Sequence, residues 1–201
     1  MIKIGITGSL ASGKSTASKF LSGKRGPLFS ADSAVKELYK SSSFKSLISK
    51  KFKIKNNNQI KKNLKKMIFN NSVELKKLEK IIHPLVRKKM KKFTFKNKNK
   101  KLLFYEIPLL IESKLMKYFD KIIFIKSKKQ LRLKRFKSKN GDKKLFNLLN
   151  SKQMRDNKKI KFCDYIIVNE KNLNILKKNL STIISKYEWN LFRYWNYRVV
   201  I

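Results

Sequence analysis

Isoleucines alternate with other residues at Ile2, Ile4 and Ile6, and the pattern then breaks into glycine and serine. Strict alternation of this kind predicts a strand. Four more β-branched or aromatic runs have strand character, at Pro27–Ser30, Lys101–Ile107, Lys121–Lys126 and Asp164–Val168. Runs such as 122–125 and 165–168 are apolar at every position. That composition predicts strands buried on both faces of a parallel sheet. Helical periodicity between the strands predicts βαβ units.

The interval from Ser33 to Lys100 is too long for a single crossover helix. Apolar residues recur at helical spacing at Val35, Leu38 and Tyr39, at Leu64, Met67 and Ile68, and at Leu75, Leu78, Ile81 and Ile82. The Asn- and Gln-rich stretch Phe52–Gln59 reads as a loop. We therefore expect a helical insertion at about 34–98. A second basic helical piece covers Arg135–Lys159. From Asn172 the chain reads as a long amphipathic helix ending in Trp189, Phe192, Tyr194, Trp195 and Tyr197, an aromatic set expected to pack as core or interface.

At 201 residues the chain is expected to form one domain with an insertion. It contains no apolar run of membrane-spanning length, and its start leads directly into a strand, so no leader is expected. The single cysteine, Cys163, excludes a disulfide framework, fits a reducing cytosol, and reads as a small buried hydrophobe. A net charge of +40 raises nucleic-acid binding as a possibility. The lysines fall on every segment, however, and Asn, Ile and Phe are abundant too, which points to compositional bias. A positive field would also speed capture of polyanionic substrates.

The first strand runs into Gly8-Ser-Leu-Ala-Ser-Gly13-Lys14-Ser15, which fills the pattern G-x-x-x-x-G-K-[ST]. The whole chain holds six glycines, so a chance match is improbable. Glycine lets the backbone approach phosphate with no Cβ in the way. The loop N–H groups form an anion nest, and a helix starting near Lys14 turns its positive end toward the same point. Lys14 can reach the β- and γ-phosphates, and the Ser15 hydroxyl can ligate Mg²⁺. The ligand class is therefore a nucleoside triphosphate.

Three further clusters carry candidate chemistry. Asp32 follows the second strand, where a carboxylate can take a proton from a hydroxyl or bind Mg²⁺. It equally fits a helix N-cap before Ser33. His83, the single histidine, precedes Pro84 and by itself reads as a helix-boundary residue. Arg87 is a fork donor suited to phosphate. Glu106 ends the third strand before Pro108 and reads either as a metal-side carboxylate or as a partly exposed strand-end charge.

In this order the segments resemble the dephospho-coenzyme A kinase family over nearly the whole chain. The carriers are the phosphate loop, Ala31-Asp32, His83-Pro-Leu-Val-Arg87, Pro108-Leu-Leu-Ile-Glu112, Arg135-Phe-Lys-Ser-Lys-Asn-Gly141, Gln153-Met154 and Asp164-Tyr-Ile-Ile-Val-Asn169. The resemblance implies an α/β P-loop NTPase three-layer sandwich with a five-stranded parallel sheet. It also implies a helical acceptor-binding insertion and a helical lid at about 135–160. The implied reaction moves the ATP γ-phosphate to the ribose 3′-hydroxyl of dephospho-coenzyme A, the last step of coenzyme A synthesis, in the cytoplasm, by a monomer or small homo-oligomer with Mg²⁺.

By position, Asp32, Lys14 and Arg135 are the implied catalytic residues. Gly8, Ala11, Ser12, Gly13, Lys14, Ser15, Thr16 and Lys139 are implied for ATP. Asp32, His83, Arg87, Pro108 and Leu109 are implied for the acceptor, and Ser15 and Asp32 for the metal. No membrane and no specific nucleic acid is implied. The alternatives are another small-molecule P-loop kinase, acting on a nucleoside or nucleotide, and a nucleic-acid-stimulated ATPase.

The chain departs from the family pattern at several places. Ser9 and Ala11 replace glycines, Ser30 replaces an Asp, Lys139 stands where a second lid arginine is expected, and Val168 replaces an Asp. Lysine is a point charge rather than a planar fork. Lys139→Arg is therefore expected to lower the Michaelis constant for ATP, measured by initial rates; an unchanged constant would show that the fork is not needed there.

Overall fold

The computed structural model describes residues 1–55, 57, 59–69 and 71–196. In chain order the elements are β1 (Ile2–Gly8), α1 (Lys14–Ser22), β2 (Leu28–Ser30), α2 (Ala31–Leu38), α3 (Ser42–Phe52), α4 (Ile60–Phe69), α5 (Ser72–Lys96), β3 (Leu102–Glu106), β4 (Lys121–Lys126), α6 (Lys129–Lys137), α7 (Lys143–Ser151), α8 (Asp156–Ile160), β5 (Tyr165–Val168) and α9 (Leu173–Asn196). The chain packs as two compact units: Met1–Leu28 with the chain from Asn99 on, and Phe29–Lys98.

The strands form one five-stranded sheet in the order β2-β3-β1-β4-β5. β1 pairs in parallel with both β3 and β4, and β4 with β5. Strand order reverses around β1, so its carboxyl end is the switch point at which open α/β sheets bind ligands. The phosphate loop leaves from that end. Register puts Ile6 beside both Glu106 and Ile123. Paired residues share a face, so Glu106 lies on the face that carries the main core. That core joins Ile4, Ile6, Phe104, Ile123 and Ile125 of the sheet to Ala17 and Leu21 of α1 and Leu180 and Ile184 of α9.

β5 departs from the expected two-sided burial. It is an edge strand, and Ile166 and Val168 are 45% and 49% exposed. An apolar run records β-propensity, whereas burial depends on whether a neighbour covers the face, and here only the face holding Ile167 joins the core.

In the second unit Leu38, Phe44, Ile48, Phe52, Ile60, Leu64 and Leu78 form a separate core. Tyr39, Met67, Ile68, Ile81 and Ile82 pack around it, as helical spacing predicted. Helix α3, with Phe44, Ile48 and Phe52 on one face, was not assigned from sequence. Its start is capped by the Ser41 hydroxyl, which accepts from the Phe44 N–H at 3.4 Å.

Two boundary readings are corrected. His83 and Pro84 sit inside α5, which continues to Lys96. Proline there removes one i→i−4 bond, but a long helix with packed side chains on one face tolerates the loss. Asp32 is not the N-cap of α2. Ser30 is, accepting from the Ser33 N–H, and Asp32 lies in the first helical turn.

Helix α9 begins at Leu173, with Asn172 accepting from the Ile175 N–H at 3.0 Å. Tyr197 lies outside the described residues, and so do the side chains of Trp189, Phe192, Tyr194 and Trp195. Among the described residues no helix is long and apolar enough to cross a membrane.

Cys163 is half-buried rather than fully enclosed, and its thiol donates to the Lys159 carbonyl. Burial pushes its pKa up to about 11. The reactive thiolate is therefore about one part in a thousand at pH 8. Alkylation of the folded chain is expected to be at least a hundredfold slower than in denaturant at pH 8, and to accelerate with each pH unit up to about 11. Equal rates at pH 8 would contradict this placement.

Candidate nucleotide site

β1 stops at Gly8 because the chain must turn sharply there. Gly8 has φ +153°, and a Cβ on it would meet the Ile125 carbonyl and lie 2.8 Å from Ser12 Oγ. Gly13 has φ +99°, and a Cβ there would run into the Asn169 side chain. Both positions therefore need glycine on conformational and steric grounds. Gly13 occupies the N-cap of α1 and supplies no side-chain cap, so the first-turn N–H groups of α1 keep their capacity for an anion.

Lys14 is 8% exposed, and its ammonium donates to the Ser9 carbonyl at 2.9 Å, across the arch of the loop. Ser12 Oγ is buried with no hydrogen-bond partner among the described residues. An unpartnered donor within a loop of N–H groups fits a ligand rich in acceptor oxygens. Ser15 Oγ donates to Glu106 Oε1 at 2.5 Å. Glu106 is 5% exposed, so the strand-end reading of this residue is set aside. One hydroxyl and one carboxylate side by side suit Mg²⁺, which takes the rest of its oxygen ligands from phosphate and water. Asp32, the other expected metal ligand, lies exposed in the second unit.

The loop carbonyls are held from outside. The Ser12 carbonyl accepts from Asn169 Nδ2 at 2.8 Å and from Arg135 Nη1 at 3.5 Å. Arg135 also donates to Ser127 Oγ at 3.1 Å and to the Asn169 carbonyl at 3.0 Å. Arg132 donates to the carbonyls of Leu10 at 3.3 Å and Ser127 at 3.1 Å, and to Asn150 Oδ1 at 2.8 Å. Burial draws the Arg132 pKa below its ordinary value, and nearby Asp156 partly offsets that. Arg132 was not singled out from sequence; its place two residues after Gln130 in a basic helix gave no signal that it, unlike its neighbours, is buried. Asn169 appeared in the sequence only as part of a family signature.

The remaining expected residues divide between the units. Thr16 is exposed in the first turn of α1. Pro108 and Leu109 are half-buried just after β3, and the Pro108 carbonyl accepts from Thr7 Oγ1 at 3.2 Å. Lys139 is exposed in the turn after α6. Asp32, His83 and Arg87 belong to the second unit. His83 and Arg87 are one helical turn apart on α5, so they share a face.

Residues 2–174 match the family model for dephospho-CoA kinase (CoaE). A dephospho-CoA kinase of Bartonella quintana is 39% identical over 90% of this chain and 95% of its own. One of Rickettsia prowazekii is 34% identical over 94% of this chain and 98% of its own. Among solved structures, a dephospho-CoA kinase from Campylobacter jejuni superposes with a TM-score of 0.63 at 26% identity, covering 92% of this chain and 96% of its own. The protein TT1252 from Thermus thermophilus shares the fold with a TM-score of 0.79 at 23% identity, over 92% of this chain and 97% of its own.

Ala11 holds φ +58°, a left-handed conformation that disfavours any side chain. Ala11→Gly is therefore expected to raise the unfolding free energy by about 1 kcal/mol. Urea denaturation without nucleotide checks this; a fall in the midpoint would mean that loss of the methyl contact or added unfolded-state entropy outweighs the strain.

Proposed function

The chain belongs to the dephospho-CoA kinase family and is an ATP-dependent kinase, and we propose how its residues transfer the γ-phosphoryl group of ATP to the ribose 3′-hydroxyl of dephospho-coenzyme A. The observation that carries this reading is the junction of Lys14, Ser15 and Glu106 at the start of α1, in a chain matched to that family from residue 2 to 174. The breadth of the match favours dephospho-coenzyme A over a nucleoside, a nucleotide or a nucleic acid as the second substrate.

The N–H groups of Ala11 and of residues 13–16, with the Lys14 ammonium, hold the β- and γ-phosphates, while the Ser12 N–H donates to the Ser9 carbonyl at 3.1 Å. Ser15 and Glu106 would hold Mg²⁺, directly or through water. The ion, when bound, neutralises charge developing on the transferred group. Asp32 orients the acceptor hydroxyl and takes its proton as the oxygen attacks phosphorus; the γ-phosphoryl bond to ADP breaks and the new phosphate ester forms. His83 and Arg87, on one face of α5, bind the acceptor, with Arg87 presenting a fork to phosphate. Arg135 and Lys139 add positive charge on the nucleotide side, and Arg135 does so as a fixed group braced against loop carbonyls. Pro108 and Leu109 supply apolar contact for the acceptor. We place the reaction in the cytoplasm.

ADP release should be stimulated by dephospho-coenzyme A and not by adenosine, a nucleoside monophosphate or single-stranded RNA, with coenzyme A as product. Asp32→Asn should lower turnover by about 10²–10⁴ with little change in the Michaelis constant for ATP. Near-normal turnover of that variant would remove Asp32 from the base role, and stimulation by RNA instead would overturn the acceptor assignment.

A further inference from the structure

The segment between α7 and α8 reaches back to the phosphate loop. Gln153 Oε1 accepts from the Leu10 N–H at 2.9 Å, and Asp156 accepts from the Ser9 hydroxyl. These contacts join residues 143 and 147 positions apart in the chain. The segment is itself anchored. Glu112 Oε1 accepts from the Met154 N–H at 3.2 Å and lies 2.7 Å from the Lys159 ammonium, a side chain with no exposed surface. A fully buried lysine beside a carboxylate resists displacement, because separating the pair would leave an uncompensated charge.

The Ser9 hydroxyl is the loop's half of one of these bonds. Glycine could not make it. With Ser9 and Ala11 the loop carries less of the glycine that eases its arch, and Ala11 is strained. The neighbouring Arg132 donates to the Leu10 carbonyl, so the N–H and the carbonyl of Leu10 both have partners outside the loop.

We propose that Gln153 and Asp156 are positioning residues for the nucleotide. They form a latch on the outer side of the phosphate loop that fixes the arch whose inner N–H groups bind the triphosphate. The inference rests on the kinase reading of this loop. The latch adds no contact to phosphate. It reduces the ordering that binding must otherwise impose on the loop, which strengthens nucleotide binding. The acceptor side is indifferent to it.

The test is the equilibrium dissociation constant for Mg²⁺-ATP, measured by calorimetric titration of the full chain, with thermal midpoints in parallel. Gln153→Met keeps the shape and removes the acceptor. Asp156→Ala removes the second bond, and Asp156→Asn keeps an acceptor oxygen. Loss of one such bond should weaken binding about three- to tenfold. Asp156→Asn should stay within about twofold of wild type, and Ser9→Gly with Asp156→Ala together should lose no more than either alone. The Michaelis constant for dephospho-coenzyme A should not move. Unchanged ATP binding in Gln153→Met and Asp156→Ala would overturn the latch, even if their thermal midpoints fall. So would Asp156→Asn as weak as Asp156→Ala, or additive losses in the double variant. A wild-type chain that binds no Mg²⁺-ATP would instead sink the kinase reading, and the latch with it.

Discussion

The Ser12 carbonyl, shared between Asn169 and Arg135, marks the constraint on which the nucleotide-binding unit depends. A loop that turns its N–H groups toward an anion turns its carbonyls the other way, into protein. A buried carbonyl without a donor is costly. The carbonyls of Ser9, Leu10 and Ser12 therefore each receive a donor, from Lys14, from Arg132, and from Arg135 with Asn169. Three of those donors are cations, so the loop lies in a positive field before any ligand arrives. The close of β5, the start of α6 and the approach to α8 all converge on this arch.

That demand accounts for residues outside the phosphate loop itself. Arg132 lies buried against the Phe146 ring at 5.7 Å and reaches both Ser127 and Leu10. Ser127 in turn takes a bond from Arg135. A cation held by several carbonyls stays charged and fixed despite burial, because the geometry replaces the water it has lost. The Glu112–Lys159 pair has the same logic one layer further out. Its members are costly to bury singly and hold each other in place.

The residues proposed for the chemistry are divided between the two units. Lys14, Ser15, Glu106 and the arginines belong to the unit built on the sheet, whereas Asp32, His83 and Arg87 belong to the helical unit with its own apolar core. The helical unit has its own buried apolar residues, among them Phe44, Ile48 and Leu64. The net charge of +40 is spread over both and suits two polyanionic substrates.

Local spacing was enough to read the parallel sheet, the phosphate loop, its glycines and the helix that follows. Alternation over five residues, a glycine at each turn and a Lys-Ser pair are short-range patterns, and backbone sterics act at short range. The helices of the second unit were legible where apolar residues recurred at three and four, and α3 carries the same spacing in Phe44, Leu47, Ile48 and Phe52, a signal that was present but not used. Sequence could not decide between Ser30 and Asp32 as the cap of α2, since both are side chains that accept from an N–H two or three residues on. Nor could it show that α5 passes through Pro84, because that depends on packing along its length. The exposure of Ile166 and Val168 was decided by what lies beyond the sheet edge. Arg132, Gln153 and Asp156 were decided by the tertiary fold alone. Their partners in the phosphate loop lie more than a hundred residues away in the chain, and hydrogen bonds between such positions exist only once the sheet has brought the two segments to the same end of β1.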